Sequence, residues 1–436
     1  MTAATVELQV KEFIARLART TVDQIDTTRK ATSYGIDSLG QLEFRELLER
    51  KFQTYLDDRT FTNFDSIDDL VAYVSAQRVT QLRQTIPEAK ATGNDHAARK
   101  SRLTAAGVLY EEIEIGMSLT CLNNLAESPL LKYLGDLRWR HLSALSGVPS
   151  KLFADDQGRR LYPSFFYVEL NFPPDKPMAA YGENDSLKIA STLKRFGGSM
   201  LDGLSYLLPA AYPETNELPF AGVAEALAAG VPVARLSNIF VEQHNGSEWL
   251  RTARPANPGF QTIDELALAP ESYLQMKTAE NGAYFSEPGK SYLPLTEGAV
   301  RTEYQLVIDR DFSSTGLVYF ANYPMFLDIC EREVLSAAKL QLPRPLIDRR
   351  TIVRRQSAYL NNAAPDETLV VEVEPWIENP FAMNQPAPEA APIRLFSNYR
   401  MYRKSDGRLM MVSAAEKIIF GATVQELPFF PEFANH

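Results

Sequence analysis

Cysteine and histidine are scarce in this chain of 436 residues, which holds only Cys121 and Cys330 and only His96, His141, His244 and His436. Two thiols cannot form a disulfide framework, and no CxxC pair marks a zinc site. His96 lies in a polar stretch and His436 is the last residue. At most two histidines remain for a buried site, which argues against Ser-His-Asp or histidine-metal chemistry. No run of about 18 apolar residues is present to span a bilayer. A basic block is missing too: 45 Lys and Arg face 55 Asp and Glu, the formal net charge is -10 and the pI is about 5.2. Nucleic acid phosphates demand a positive face that such a chain lacks. The opening MTAATVELQVKEF does not follow the basic-then-apolar order of a signal peptide. These absences lead to the expectation of a reduced, soluble, cytoplasmic protein with no metal, nucleic acid or membrane partner.

What is present is ordinary globular composition, 45% hydrophobic and 23% charged, at a length that suggests about three domains. Val6, Val10, Phe13, Ile14 and Leu17 share one helical face. A second helix is expected from near Ser38, with Leu39, Leu42, Phe44, Leu47 and Leu48 as its apolar positions. A third opens at Ser66 and buries Ile67, Leu70, Val71 and Val74. Residues 1–80 therefore read as a small helical domain and 81–102 as a linker without apolar periodicity. Beyond it VLYEEIEIG reads as a strand and SPLLKYLGDLRWRHLSAL as a helix, with Ser128 as its cap and Pro129 at the first helical position. Four runs follow as strands: RRLYPSFFYVELNF, DSLKIASTLKRF, SMLDGLSYLL and VPVARLSNIFVEQ.

The order then recurs. AVRTEYQLVIDR reads as a strand and ANYPMFLDICEREVLSAA as a helix capped by Asn322. Further strands are RTIVRRQSAYLNN, ETLVVEVEPWIE, IRLFSNYRMYRKSDGRLMM and EKIIFGA. ARLSNIFVEQHNGSEWL echoes IRLFSNYRMYRKSDGRLM, pairing Ser237-Asn238 with Ser397-Asn398. A helix wrapped by an antiparallel sheet, twice in tandem, is the layout of a double hot-dog fold. The expected class is thus α+β: a helical bundle followed by repeats over 103–280 and 281–436.

Three stretches carry chemistry. Asp37-Ser38-Leu39, after YGI and ahead of Glu43, Glu46 and Glu49, resembles the phosphopantetheine attachment site of acyl carrier proteins. A phosphate attached at the start of a helix sits at the positive end of its dipole. The resemblance covers residues 1 to about 80 and implies a covalent 4'-phosphopantetheine on Ser38, installed by a phosphopantetheinyl transferase. DFSSTGLVYFANYPMFLDICERE resembles the signature of hot-dog thioesterases acting on acyl-CoA, through Gly316, the run Tyr319 to Tyr323, Phe326 and Asp328. The catalytic carboxylate of that pattern is replaced by Ser313, with Asp311 two residues earlier, and hydrolysis loses its base.

EIGMSLTCLNNLAESPLLKYLGDLRWRHL followed by GRRLYPSFFYVELNF resembles the bifunctional acyltransferase/decarboxylases of leinamycin-type polyketide assembly. Gly116-Met117, the Leu134-Gly135-Asp136-Leu137-x-Trp139 stretch and Arg160-Leu161-Tyr162 carry the resemblance, which spans about residues 105 to 436. It implies decarboxylation of methylmalonyl-CoA and transfer of propionyl to a carrier, with a tyrosine as acyl acceptor. By position that tyrosine is Tyr162, with Tyr167 as the alternative. A phenol ionises near pH ~10, so a phenolate would need a cation, which Arg159 or Arg160 could supply. Decarboxylation itself needs a dry pocket and donors for the enolate, with no metal. Backbone N–H groups near Glu127-Ser128 and Asn322-Tyr323 are the expected donors, and Asn322 and Ser313 join Tyr162 as candidate catalytic positions. Asp136 and Trp139 on the helix fit a pocket as well as a cap or core, and His141 fits a satisfied core position.

The reading that joins the two parts is a starter-loading protein. It decarboxylates a (methyl)malonyl thioester and hands the acetyl or propionyl group to a phosphopantetheine thiol, its own or that of a polyketide synthase carrier. Two other readings stand beside it. One is a hot-dog dehydratase or thioesterase acting on a carrier-bound polyketide; the other is a non-catalytic carrier and docking module.

Overall fold

The computed structural model describes residues 3–18, 20–34, 44, 48, 51–52, 64–81, 101–122, 124–217, 219–242, 252–289, 291–313, 315–338, 342–379 and 391–427. The chain forms two compact units, residues 1–96 and 97–436. In the first, helix α1 (Ala3–Leu17) turns Val6, Val10 and Ile14 inward, and helix α2 (Ile67–Gln81) turns Ile67, Leu70, Val71 and Val74 toward them. Ser66 starts α2 as expected, its Oγ accepting the Asp69 N–H at 3.1 Å. Phe44, Leu48 and Phe52, four residues apart, are helical and buried in the same core. Ser38 lies outside the described residues.

The second unit runs β1 (Ser101–Leu103), β2 (Leu109–Glu114), β3 (Thr120–Cys121), β4 (Asn124–Leu125), α3 (Glu127–Ser146), β5 (Leu161–Asn171), β6 (Ser186–Ser191), β7 (Lys194–Phe196), β8 (Met200–Pro209) and β9 (Val233–Glu242). It continues with α4 (Glu271–Glu280), β10 (Tyr292–Pro294), β11 (Val300–Gln305), α5 (Tyr323–Ala337), β12 (Arg350–Tyr359), β13 (Thr368–Glu378), β14 (Pro392–Arg403) and β15 (Leu409–Thr423). Thirteen strands make one antiparallel sheet in the order β1-β2-β6-β8-β9-β5-β12-β15-β14-β13-β10, with β7 on β8 and β11 on β13.

That order contains the same unit twice. In the first half β2 precedes helix α3, and β5, β6, β8 and β9 follow it. In the second, β11 precedes α5, and β12, β13, β14 and β15 follow. Numbering each set of five along the chain, both halves lie in the order first, third, fourth, fifth, second. The second strands, β5 and β12, pair antiparallel at the seam, so the halves are related by a pseudo-twofold axis. This is the double hot-dog arrangement, with α3 and α5 packed together inside one shared apolar core. Helix α4 covers the opposite face of the seam, where Ala279 meets Phe166, Tyr167, Ala358 and Val412.

Two local expectations differ from what is observed. Ser237 lies on the fifth strand of its half and Ser397 on the fourth of the other, so the Ser-Asn echo does not join equivalent strands. Helix α3 begins one residue before Ser128, with Ala126 as cap. Ser128 is therefore inside the first turn, and its Oγ donates to Asn322 Oδ1 at 3.3 Å, which joins the starts of α3 and α5.

Candidate active site

β5 and β12 stay paired from Asn171–Arg354 to Tyr167–Ala358 and no further. Past that point Ser164 and Phe165 pair only with β9, and Tyr359 pairs only with β15. A bulge between Phe165 and Tyr167 marks the divergence. The slit so formed leads to a chamber of about 350 Å³. Phe165, Phe166, Met200, Ile239, Val241, Met276, Val318 and Phe320 make it apolar. Its polar wall consists of Tyr273, Tyr323, Tyr359, Asn361 and Asn362, with Ser164 and Thr252. At the rim stand Lys277 and Glu280 of α4, both exposed and ion-paired at 2.8 Å.

The polar wall consists of neutral groups. Tyr323 and Tyr359 pack edge to face at 5.2 Å, and burial pushes both phenols well above their ordinary range. The Tyr359 hydroxyl is buried without a hydrogen-bond partner. Asn362 Oδ1 accepts the Val318 N–H at 2.9 Å, which fixes the loop ahead of α5. Asn361 Nδ2 donates to the Leu409 carbonyl at 2.7 Å. Among the described residues the lining has no histidine, and Glu280 is its only carboxylate.

Of the positions singled out from the sequence, Phe320 and Tyr323 line this chamber, while the candidate catalytic positions Tyr162, Ser313 and Asn322 are not among its lining residues. Tyr162 packs its ring on Trp139 with centroids 5.1 Å apart, and burial, with Tyr319 nearby, pushes its hydroxyl up to about 12. The expected cation is not there: Arg159 is bound to Asp155 at 2.6 Å and Glu242 at 2.9 Å, while Arg160 is exposed. Tyr162 is therefore a neutral phenol at physiological pH. Tyr167 faces the α4 side of the sheet, its hydroxyl held between Glu169 at 3.1 Å and Gln356 at 2.9 Å.

Ser313 closes a turn, bonding Thr315 Oγ1 at 2.7 Å and the Leu317 carbonyl at 3.1 Å, with Gly316 at φ 74°. Asp311 is fully buried and consumed by the Val307 N–H, Arg310 and the Tyr304 hydroxyl. Asn322 does precede α5, but its side chain makes no cap; Nδ2 donates instead to the Arg310 carbonyl at 2.9 Å. Asp136 is exposed and pairs with Arg140, and it is not among the lining residues of the chamber. His141 is buried between the Gly107 carbonyl and Ser191, and burial pushes it down to about 4, a neutral core histidine.

A second feature was not legible in the sequence. Six charged groups meet beneath the starts of α3 and α5: Glu127, Asp328, Glu331, Arg350, Arg355 and Lys417. Arg355, on β12, donates from Nε to Glu127 Oε2 at 3.1 Å, with Oε1 ion-paired at 2.9 Å, and donates to Asp328 Oδ1 at 2.7 Å. Lys417, on β15, bonds Asp328 at 2.7 Å and Glu331 at 2.6 Å. Burial works against all three carboxylates, yet these cations hold Asp328 well below its usual range and bring Glu331 to about 2. Glu127 goes the other way, to about 7, because burial and the Asp328 charge outweigh Arg355. Glu127 and Asp328 stand out in the sequence for other reasons, but nothing in it joins them to Arg355 inside TIVRRQSAY.

Comparison with known proteins bears on both units. Residues 9–74 match the phosphopantetheine attachment site family, and the match includes Ser38. Among curated proteins none matches the chain. Solved structures that resemble it include an oleoyl thioesterase from Lactobacillus plantarum, with 10% identity, 72% of this chain and 96% of that chain covered, and a TM-score of 0.46. An acyl-ACP thioesterase from Bacteroides thetaiotaomicron has 9% identity, coverage of 71% and 98%, and a TM-score of 0.42. A 12:0-ACP thioesterase from Umbellularia californica has 10% identity, coverage of 71% and 94%, and a TM-score of 0.41. Likeness at that level identifies no substrate, and the fold stands on the strand order. The chain joins a phosphopantetheine attachment domain to a double hot-dog, which is equipment for handling acyl thioesters.

Proposed function

We propose that the double hot-dog decarboxylates a malonyl or methylmalonyl thioester of coenzyme A and that the resulting acetyl or propionyl group passes to the carrier domain. The observation that carries this reading is the make-up of the chamber among the described residues: apolar walls, three phenols and two carboxamides, with no histidine and no carboxylate except the rim pair of Glu280 with Lys277. Hydrolysis needs a base beside the carbonyl to activate water. Loss of carbon dioxide needs none. It needs an environment that solvates a carboxylate poorly and donors that hold the negative charge moving onto the thioester oxygen.

In the proposed step the bond between the α-carbon and the carboxylate breaks. Its electron pair moves into the enolate, carbon dioxide leaves, and the α-carbon takes a proton from water. Neutral phenols suit the enolate oxygen, since they donate without offering a competing charge. Tyr323 and Tyr359, both in the lining and both kept protonated by burial, are the candidates. The phosphopantetheine arm, when attached at Ser38, supplies the thiol that receives the acyl group: its sulfur bonds to the acyl carbonyl carbon, the carbon–sulfur bond to coenzyme A breaks, and coenzyme A leaves as a thiol with the arm's proton. Its covalent linkage to the catalytic unit raises the thiol's effective concentration to roughly millimolar.

The test is release of labelled carbon dioxide from carboxyl-labelled methylmalonyl-CoA. Wild-type protein is expected to release label, and Ile239→Trp, which fills the chamber from β9, to lose at least about tenfold in rate. Release by Ile239→Trp at the wild-type rate would remove the chamber from the account, and retention of the label by wild-type protein would remove the reaction.

A further inference from the structure

A groove of about 610 Å³ lies at the other end of the seam, and exchange of the two halves turns the chamber into it. The chamber uses the loop before α5, the end of β12, the start of β5 and β9, the fifth strand of its half. The groove uses the loop before α3, Met178 and Ala179 beyond β5, the start of β12 and β15, the fifth strand of the other half. The walls differ in chemistry. Leu122, Met325, Ile329 and Phe420 give the groove an apolar side, and Glu127, Asp328, Arg350 and Lys417 bring the buried ionic cluster to its wall.

The Arg350 side chain is only 5% exposed, yet its guanidinium is not consumed. Nε lies 3.2 Å from Glu331 Oε2 without hydrogen-bond geometry, and Nη2 donates to the Asp328 carbonyl at 3.4 Å. Nη1 has no hydrogen-bond partner among the described residues. A buried cationic donor left unmet is costly unless an acceptor reaches it. Positive charge is crowded on this wall as well. Arg332, which lines the groove and pairs with Asp348, is held below the ordinary guanidinium range by burial and by the charges of Arg350 and Arg344. Helix α3 adds its positive end: Ala126, Glu127 and Ser128 line the groove, and Ala126 caps the helix without a side-chain hydrogen bond. Within the cluster Asp328 and Glu331 stay ionised, while Glu127 titrates near 7. With Glu127 protonated, Arg350, Arg355 and Lys417 face only two carboxylates, which leaves one positive charge unmatched.

We propose that the groove is a binding site for a short organic carboxylate, which accepts a hydrogen bond from Arg350 Nη1 at the start of α3 and lays its apolar body against Ile329 and Phe420. A carboxylate among these cations is stabilised as a carboxylate, so it is kept there rather than lost as carbon dioxide. Inorganic phosphate has no apolar body to cover the other side of the groove. The carboxylate can belong to a free acid or to a carboxyacyl thioester, since the two share the end that is held. The site does not depend on the decarboxylation proposed for the chamber.

The groups facing Glu127 are Arg355 and Tyr359 on β12, Asp328 on α5 and Lys417 on β15, with Arg350 on the same wall. A bound carboxylate repels an ionised Glu127, so affinity is full below about 7 and falls as the pH rises through it. Titration calorimetry of the full-length chain uses butyrate in one arm and S-carboxymethyl-coenzyme A, which has no acyl group to transfer, in the other. Binding is expected to weaken about tenfold between roughly pH 6 and roughly pH 8.5, and Glu127→Gln, neutral throughout, to keep the low-pH affinity. Arg350→Ala is expected to bind at least about tenfold more weakly. If Arg350→Ala does not fold, Ile329→Trp, which fills the groove from an exposed position on α5, is expected to abolish binding. Ile239→Trp, which fills the chamber instead, is expected to bind as wild type does. Binding of butyrate shows that a free acid suffices; binding of S-carboxymethyl-coenzyme A alone shows that the carboxylate is read on its carrier. No binding of either probe, equal binding of inorganic phosphate, an affinity flat across pH 7, loss in Ile239→Trp, or wild-type binding in Arg350→Ala or Ile329→Trp overturns the proposal. A failure of decarboxylation leaves this readout unaffected.

Discussion

Burial raises the pKa of a phenol and of a carboxyl alike, with opposite consequences at neutral pH. Tyr162 starts at 10.0 and is pushed to about 12, further from any reactive form. Glu127 starts at 4.5 and is pushed to about 7, where its charge changes near neutral pH. The difference lies in the partners, and partners do not follow from sequence spacing. Arg159 is next to the tyrosine strand in sequence, yet Asp155 and Glu242 take its guanidinium. Replacement of Tyr162 by Phe is therefore expected to keep acyl transfer within about threefold of wild type, with no acyl-tyrosine adduct in either protein by peptide mass mapping. A loss of a hundredfold or more, or an adduct on Tyr162 in the wild type, would restore the tyrosine as acceptor.

At the level of elements, helix α3 shows how a local rule is overridden. Gly135 sits in its middle, where Ala would favour the helix by about 1 kcal/mol. A Cβ at that position would stand 2.9 Å from two ring atoms of Phe320, which is itself stacked on Phe165 with centroids 3.8 Å apart. Overpacking of that kind costs typically 1–3 kcal/mol, so Gly135→Ala is expected to be destabilising by about 1 kcal/mol in urea denaturation. Because Phe320 lines the chamber, the same variant is also expected to slow decarboxylation. An unchanged or higher midpoint would mean that the ring moves away freely.

The elements legible in the sequence were those with a periodic apolar face: α1, α2, α3, α5 and the long strands. Helix α4 was not, because ESYLQMKTAE buries only Ser272 and Ala279 and so shows no apolar stripe. β15 read as two strands, since the small residues of VSAAE break the apolar run although they are buried.

For the whole molecule, the duplication was legible because each half repeats strand, helix, strands in order, while the contact that makes it one body was not. The pairing of β5 with β12 and the cluster of Glu127, Asp328, Glu331, Arg350, Arg355 and Lys417 join residues up to 290 positions apart, taking Lys417 against Glu127. No spacing in the sequence predicts such a meeting. Both cavities follow from that seam, and neither could be drawn before it was known. A carrier domain sharing the chain with these cavities turns the question from what is bound to where the acyl group ends.

The central claim is that a carboxylated acyl group enters and a decarboxylated one is retained on this chain. Intact mass of the phosphopantetheinylated protein after incubation with methylmalonyl-CoA tests it most directly, with Ser38→Ala as the control. A mass gain of one propionyl group, absent in Ser38→Ala, is the predicted result. No gain, or a gain that still includes the carboxyl group, would contradict it.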